Sequence, residues 1–308
     1  MSTKRHTGEA ALELQMLSFS TVSLLAAGLT LHAPRLFDEE SGMSFTWFLT
    51  NSIFVSIFIS IFVIWLCRSA TRKMSIVPSP LQNAFELVVE GLYDMLEEIV
   101  GRHMIARTFS FLATLFIFIL ASNWFGLLPG VGSVGWSHEK PGPFLSVPHV
   151  EIPLLRPTTA DLNMTLAMAL VFMVLWLYWS LSEVGLKNFL LHLFGVKGGL
   201  KGFMAFALAP IFFFVGLIEV VSILFRPVSL SLRLFGNVFA GENLLSSMIT
   251  LGSELGLPTW VAAIASITIP IPFYFLEILV GVLQALVFML LCAVYIQLAT
   301  SHDEEEEH

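Results

Sequence analysis

Three stretches of this chain, Thr46–Leu66, Thr108–Leu128 and Leu162–Ser182, carry no charged side chain, and each is long enough to cross about 30 Å of hydrocarbon as a helix. Backbone polar groups in lipid must be satisfied internally, which restricts such segments to helices here. Composition agrees: 56% of residues are hydrophobic and 12% charged, and the mean hydropathy is +0.84. Soluble domains carry about 25% charged residues, so the expected class is an all-α polytopic membrane protein. The net charge of -8 says little about partners, because five acidic residues sit in the tail Asp303–Glu307 and read as a solvated end. Cys67 and Cys292 fall at the edge of or within apolar segments without zinc or redox spacing, so they read as packing residues. No metal, cofactor or nucleic-acid partner is expected.

The chain divides into an N-terminal extension (1–45), a single membrane domain (46–300) and an acidic tail (301–308). Within the extension, Met16–Leu31 follows Lys4 and Arg5 and reads equally as a removable signal or as an anchor. Trp47 and Trp65 are placed like interfacial anchors, and Arg68, Arg72 and Lys73 put the far end of the first span in the cytoplasm. In Phe85–Val100, the residues Phe85, Val88, Val89, Leu92, Met95, Leu96 and Ile99 follow helical spacing. Glu86, Glu90, Asp94 and Glu97 line the opposite side. This predicts an amphipathic helix at the cytoplasmic surface, with an acidic face better suited to a protein partner than to anionic lipid. A loop of about 30 residues follows Pro129, with His138 and His149 as ordinary exposed histidines. Lys187, Lys197 and Lys201 return the chain to the cytoplasmic side. Eight Lys and Arg then fall in the two inner loops, against Arg35, Lys140 and Arg156 in outer ones.

Phe203–Thr250 and Leu257–Thr300 are each roughly twice the length of a perpendicular span. Leu251–Pro258, with Gly252, Gly256 and Pro258, is the one clear turn between them. Two long tilted helices forming a hairpin are expected, with Pro227, Pro270 and Pro272 as kinks. The total comes to about five crossings.

Arg233 lies within this apolar third, and a guanidinium at mid-bilayer costs at least about 2.5–3.5 kcal/mol on insertion scales. It cannot escape by deprotonating. On a helical wheel Arg226, Asn237 and Glu219 fall within about 40° of it. Ser229, Gly236 and Ala240 share that face, and such small residues let another helix approach closely. Glu242 lies on the opposite side. Farther on, Glu277, Gly281 and Gln284 share one face of the final helix. Arg233 could simply pair with Glu219, Glu242 or Glu277 to fix packing, but four ionisable groups on two adjacent helices exceed what packing requires. Asp161 and Asn163 open the third span, where Asp161 is suited equally to capping and to conduction.

The string Ser-Leu-Arg233-Leu-Phe-Gly-Asn237-Val-Phe-Ala-Gly-Glu242 resembles the signature of subunit a of rotary F-type ATP synthases. Phe85-Glu-Leu-Val, Asn123-Trp-Phe-Gly-Leu-Leu-Pro129, Ala-Asp161-Leu-Asn163-Met-Thr165-Leu-Ala and Leu-Gln284-Ala-Leu-Val-Phe resemble its other landmarks, in order. The resemblance runs from about Trp47 to the C-terminus. It implies a proton-translocating stator in the bacterial inner membrane, held by b-type stalk subunits against a rotating ring of c subunits, with no catalytic chemistry of its own. Arg233 would face the ring's proton-carrying carboxylate. Glu242, Glu277, Asn237, Gln284 and Asn163 would line or neighbour an inlet from the outer side, with Asp161 beside them, and Glu219 would sit near the inner outlet. The position of Glu277 is histidine in some bacterial members. Here both Glu277 and Glu242 are carboxylates, able to share a proton.

A secondary transporter is the competing class, since it also places charges at broken helices. It would show an internal repeat, and none relates Trp47–Leu127 to Leu162–Leu251. A purely structural assembly subunit would not need the carboxylates beside the arginine.

Overall fold

A computed structural model describes residues 50–72, 74, 78–128, 131, 135–136, 152–153, 155–194, 203–256 and 258–300. The N-terminal extension, Trp47, Lys197, Lys201, most of the loop with His138 and His149, and the acidic tail lie outside the described residues. The first span, α1 (Asn51–Thr71), is capped by Thr50, whose side chain accepts a hydrogen bond from the Ile53 N–H. The amphipathic segment, α2 (Pro80–Val100), starts earlier than the Phe85 expected from periodicity. Ser79 caps it, and Pro80 occupies the first turn, where a missing N–H costs nothing. Leu92, Leu96 and Val100 are buried, whereas Val88 and Met95 stay exposed, so the apolar arc is wider than the strip that packs. Gly101, at φ +85°, ends α2 and turns the chain into α3 (Arg102–Gly126); a side chain there would be strained.

After α3, Gly135–Trp136 and Ile152–Pro153 form a minimal antiparallel pair, β1 and β2. A 3-10 turn at Thr158–Ala160 leads into α4 (Leu162–Val184), and a short helix, α5 (Leu186–Phe194), follows Gly185. The hairpin of the last third is present. α6 (Phe203–Glu254) runs unbroken for 52 residues with Pro210 and Pro227 inside it. After the turn, α7 (Thr259–Thr268) ends at Ile269, and α8 (Pro270–Thr300) begins at the proline that breaks the helix. Among the described residues, five segments are long and apolar enough to cross a membrane: Asn51–Thr71, Arg102–Gly126, Leu162–Val184, Pro210–Gly252 and Trp260–Thr300.

The shared core is drawn from α2, α3, α4, α6 and α8. Leu112, Phe116 and Ile119 meet Ala169, Phe172 and Trp176, with Leu230 and Leu234 of α6 and Phe288, Met289 and Cys292 of α8. α5 lies against α6 so closely that a Cβ on Gly216 would strike the Leu193 carbonyl. At that end of the bundle Arg107 of α3 pairs with Glu183 of α4. Antiparallel neighbours thus have their chain ends clipped together by charge at one side and by polar contacts at the other.

Candidate functional site

α6 carries most of the ionisable groups found at membrane depth, and they fall into three settings along its length. Glu219 and Arg226, two turns apart, lie within electrostatic reach of each other. The Arg226 guanidinium is held over two aromatic faces, 5.3 Å from the Trp176 ring centre and 4.7 Å from that of Tyr295. Trp176 of α4 is itself fixed by donating its indole N–H to the Tyr295 carbonyl of α8 at 2.8 Å. A desolvated cation over an aromatic face gains about 2 kcal/mol, so the clamp joins α4, α6 and α8 around one charge.

Arg233, seven residues on, is in a different situation. It is exposed, and among the described residues it has no ion pair or hydrogen bond. The small residues on its stripe leave the surface open: Ser229 and Ala240 are exposed, and a Cβ on Gly236 would meet nothing within 4 Å. Asn237, one turn beyond, is half-buried.

The third setting surrounds Glu242, about 14 Å beyond Arg233 by helix rise. Its carboxylate accepts from Arg156, whose Nε and Nη2 both donate to Oε2 at 3.4 and 3.3 Å. The Arg156 side chain is 9% exposed and that of Glu242 38%. Glu277 of α8 packs its carboxyl group onto Gly241, so closely that any Cβ there would collide with it. The two acids therefore reach α6 at adjacent positions, yet no hydrogen bond joins them among the described residues. The hairpin achieves this by keeping step. Gly252 lies against Ala262 and Ala265, and Gly241 lies against Glu277.

Around these acids the segment before α4 folds inward. Pro157 sits on Gly126 of α3, where a Cβ would have no room. The Thr159 hydroxyl donates to Asn123 Oδ1 at 2.7 Å, and Asn123 Nδ2 donates to the Gly281 carbonyl at 3.2 Å. The Trp124 indole donates to the Ile278 carbonyl at 3.3 Å. Gly281 allows this approach, with its Cβ position 3.3 Å from Asn123. Asp161 is buried and caps α4, accepting from the Asn163 N–H at 3.0 Å, while Asn163 is exposed. Gln284 is half-buried one turn beyond Gly281. The hydroxyls of Ser122 and Thr158 are buried with no partner among the described residues. Cys292 is buried and Cys67 partly so, and both are free thiols. The described residues hold no group of three or more His, Cys, Asp or Glu that could bind a metal.

Arg156 is the site residue that sequence reasoning missed, since it entered only the count of outer-loop charges. Nothing local in the sequence marks it, because its partner lies 86 residues away.

This is a multi-pass helical membrane protein with permanent charges on one long helix, one clamped and one bare among the described residues. The family model for the ATP synthase A chain matches residues 51–297. An ATP synthase subunit a from Trichlorobacter lovleyi is 35% identical over 250 residues, covering 80% of this chain and 86% of its own. Those of Protochlamydia amoebophila and a Shewanella species are 31% and 32% identical, over 84% and 86% of this chain and 83% and 86% of theirs. The chain belongs to the ATP synthase A chain family, and with it to the membrane sector of the F-type complex that couples proton transport to ATP synthesis.

Proposed function

We propose that this chain is the proton-translocating stator of its complex, with Arg233 facing a rotating c-ring between two offset half-channels. The observation that carries the reading is the bare guanidinium of Arg233 on a stripe of small residues. A permanent charge at membrane depth requires a partner, and none is supplied within the described residues. A carboxylate on a passing ring helix supplies that partner. Facing lipid, such a carboxyl stays neutral because desolvation disfavours its charge; beside Arg233 its ionised form is favoured. Passage past the arginine then unloads a proton on one side and reloads one on the other, and the fixed charge blocks direct leakage between the channels. Each proton contributes about 2.3 kcal/mol per 100 mV to turning the ring.

The inlet lies at the end of α6 with Glu242, Glu277, Asn237, Gln284 and Asn163, with Asp161 capping the helix beside it. Buried hydroxyls with no partner among the described residues are groups that ordered water satisfies, which suits a hydrated path. Glu219, about 21 Å from Arg233 in the other direction, marks the outlet. In this reading residues 46–300 form one membrane domain in the bacterial inner membrane, with the C-terminus cytoplasmic and b-type stalk subunits alongside.

The test is sidedness. Cysteine is placed at Glu219 or at Glu242 in a background without Cys67 and Cys292, and membranes of known orientation are treated with an impermeant thiol reagent. Labelling is expected from opposite sides, Glu242 from outside and Glu219 from the cytoplasm. Labelling of both from one side defeats the two-channel reading. ATP-driven acidification of vesicles with and without sodium identifies the coupling ion.

A further inference from the structure

The ion pair between Arg156 and Glu242 joins residues 86 positions apart and ties the segment before α4 to α6 by charge. Arg156 is nearly buried, and a buried guanidinium is tolerated only when paired and hydrogen-bonded. Its backbone is anchored on the residues that follow: Pro157 on Gly126, Thr159 on Asn123, and Asp161 at the start of α4. The arginine is thus presented from a fixed support, and both donors converge on one oxygen, Oε2, leaving Oε1 of Glu242 unengaged by it. Across the hairpin, Glu277 has no such cation among the described residues; it rests on the backbone of Gly241.

We propose that Arg156 is a positioning residue for proton entry: it fixes the Glu242 carboxylate by one oxygen so that the other is aimed into the inlet. The two acids then divide the work. Glu242 is the held acceptor, and Glu277, which no cation holds among the described residues, is the relay. This assignment rests on the inlet reading of Glu242 given above.

The experiment is a double-mutant cycle on the whole ATP synthase in membranes, reading ATP-driven proton pumping normalised to the amount of this chain. Arg156→Gln and Glu242→Gln are each expected to lower the rate about tenfold, and the double variant no further than the worse single, because one unit has been lost. Arg156→Lys, which keeps the charge and a donor, recovers part of the rate, a rescue that loss of packing alone would not give. Independent losses that multiply to about a hundredfold, or normal pumping by Arg156→Gln, overturn the proposal. Normal pumping by Glu242→Gln alone overturns the inlet reading itself, and this assignment with it. If Arg156→Gln does not accumulate in membranes, the same cycle run with Arg156→Lys decides by the same criterion of additivity.

Discussion

Arg226 and Arg233 stand seven residues apart on nearly the same stripe of α6, and their surroundings differ completely. Arg226 lies over Trp176 and Tyr295 and ties three helices together. Arg233 touches no acid or aromatic partner among the described residues and looks out over a strip cleared by Ser229, Gly236 and Ala240. Helical position alone does not distinguish them; what sits opposite does. The bulky rings of α4 and α8 reach the first arginine, while small side chains surround the second. A charge satisfied inside the fold acts as a structural tie. The second charge, two turns along the same helix and without a partner among the described residues, is the one we propose for the passing ring.

If that contrast holds, the largest effect belongs to the bare arginine. Arg233→Ala should abolish ATP-driven proton pumping while leaving the amount and thermal stability of the chain unchanged, because no partner among the described residues is orphaned. Pumping and immunoblotting of the same membranes check both halves. Next comes Glu277→Gln, expected to lower pumping about tenfold and to alter the pH–rate profile by removing a relay group, with Glu277→His partly tolerated. An unaltered profile would make Glu277 a packing residue.

The glycines sharpen the comparison further. Gly216→Ala places a methyl group against the Leu193 carbonyl and should destabilise the α5–α6 contact by about 1–3 kcal/mol, read as a lower unfolding midpoint of the purified complex. Gly236→Ala meets open space and should leave that midpoint unmoved, yet slow rotation by crowding the approach of the ring. The smallest effect is expected for Arg226→Lys, which keeps a cation over the rings and loses about 1 kcal/mol or less.

Much of this architecture is legible in the sequence because hydropathy reports burial in lipid directly. The three uncharged stretches, the turn at Leu251–Pro258 and the break before Pro270 were all readable from composition and from proline and glycine chemistry. The start of α2 was less so: periodicity begins at Phe85, but Ser79–Pro80 sets the true beginning by capping. α5 went unread because nine residues are too few for a hydropathy signal. Arg156 was hidden for a different reason. Its partner is 86 residues away, and no local pattern marks a loop arginine whose side chain the tertiary fold buries. The wheel grouped Arg226 with Arg233 correctly by angle, but it could not see the aromatic rings that neighbouring helices contribute.

The most direct test sets the two arginines side by side as lysine variants, with ATP synthesis driven by an imposed proton gradient and measured at equal amounts of chain. Lysine keeps the charge but not the planar donor geometry. Arg226→Lys should retain most of the synthesis rate and Arg233→Lys essentially none. Equal rates for the two, or normal synthesis by Arg233→Lys, would contradict the account.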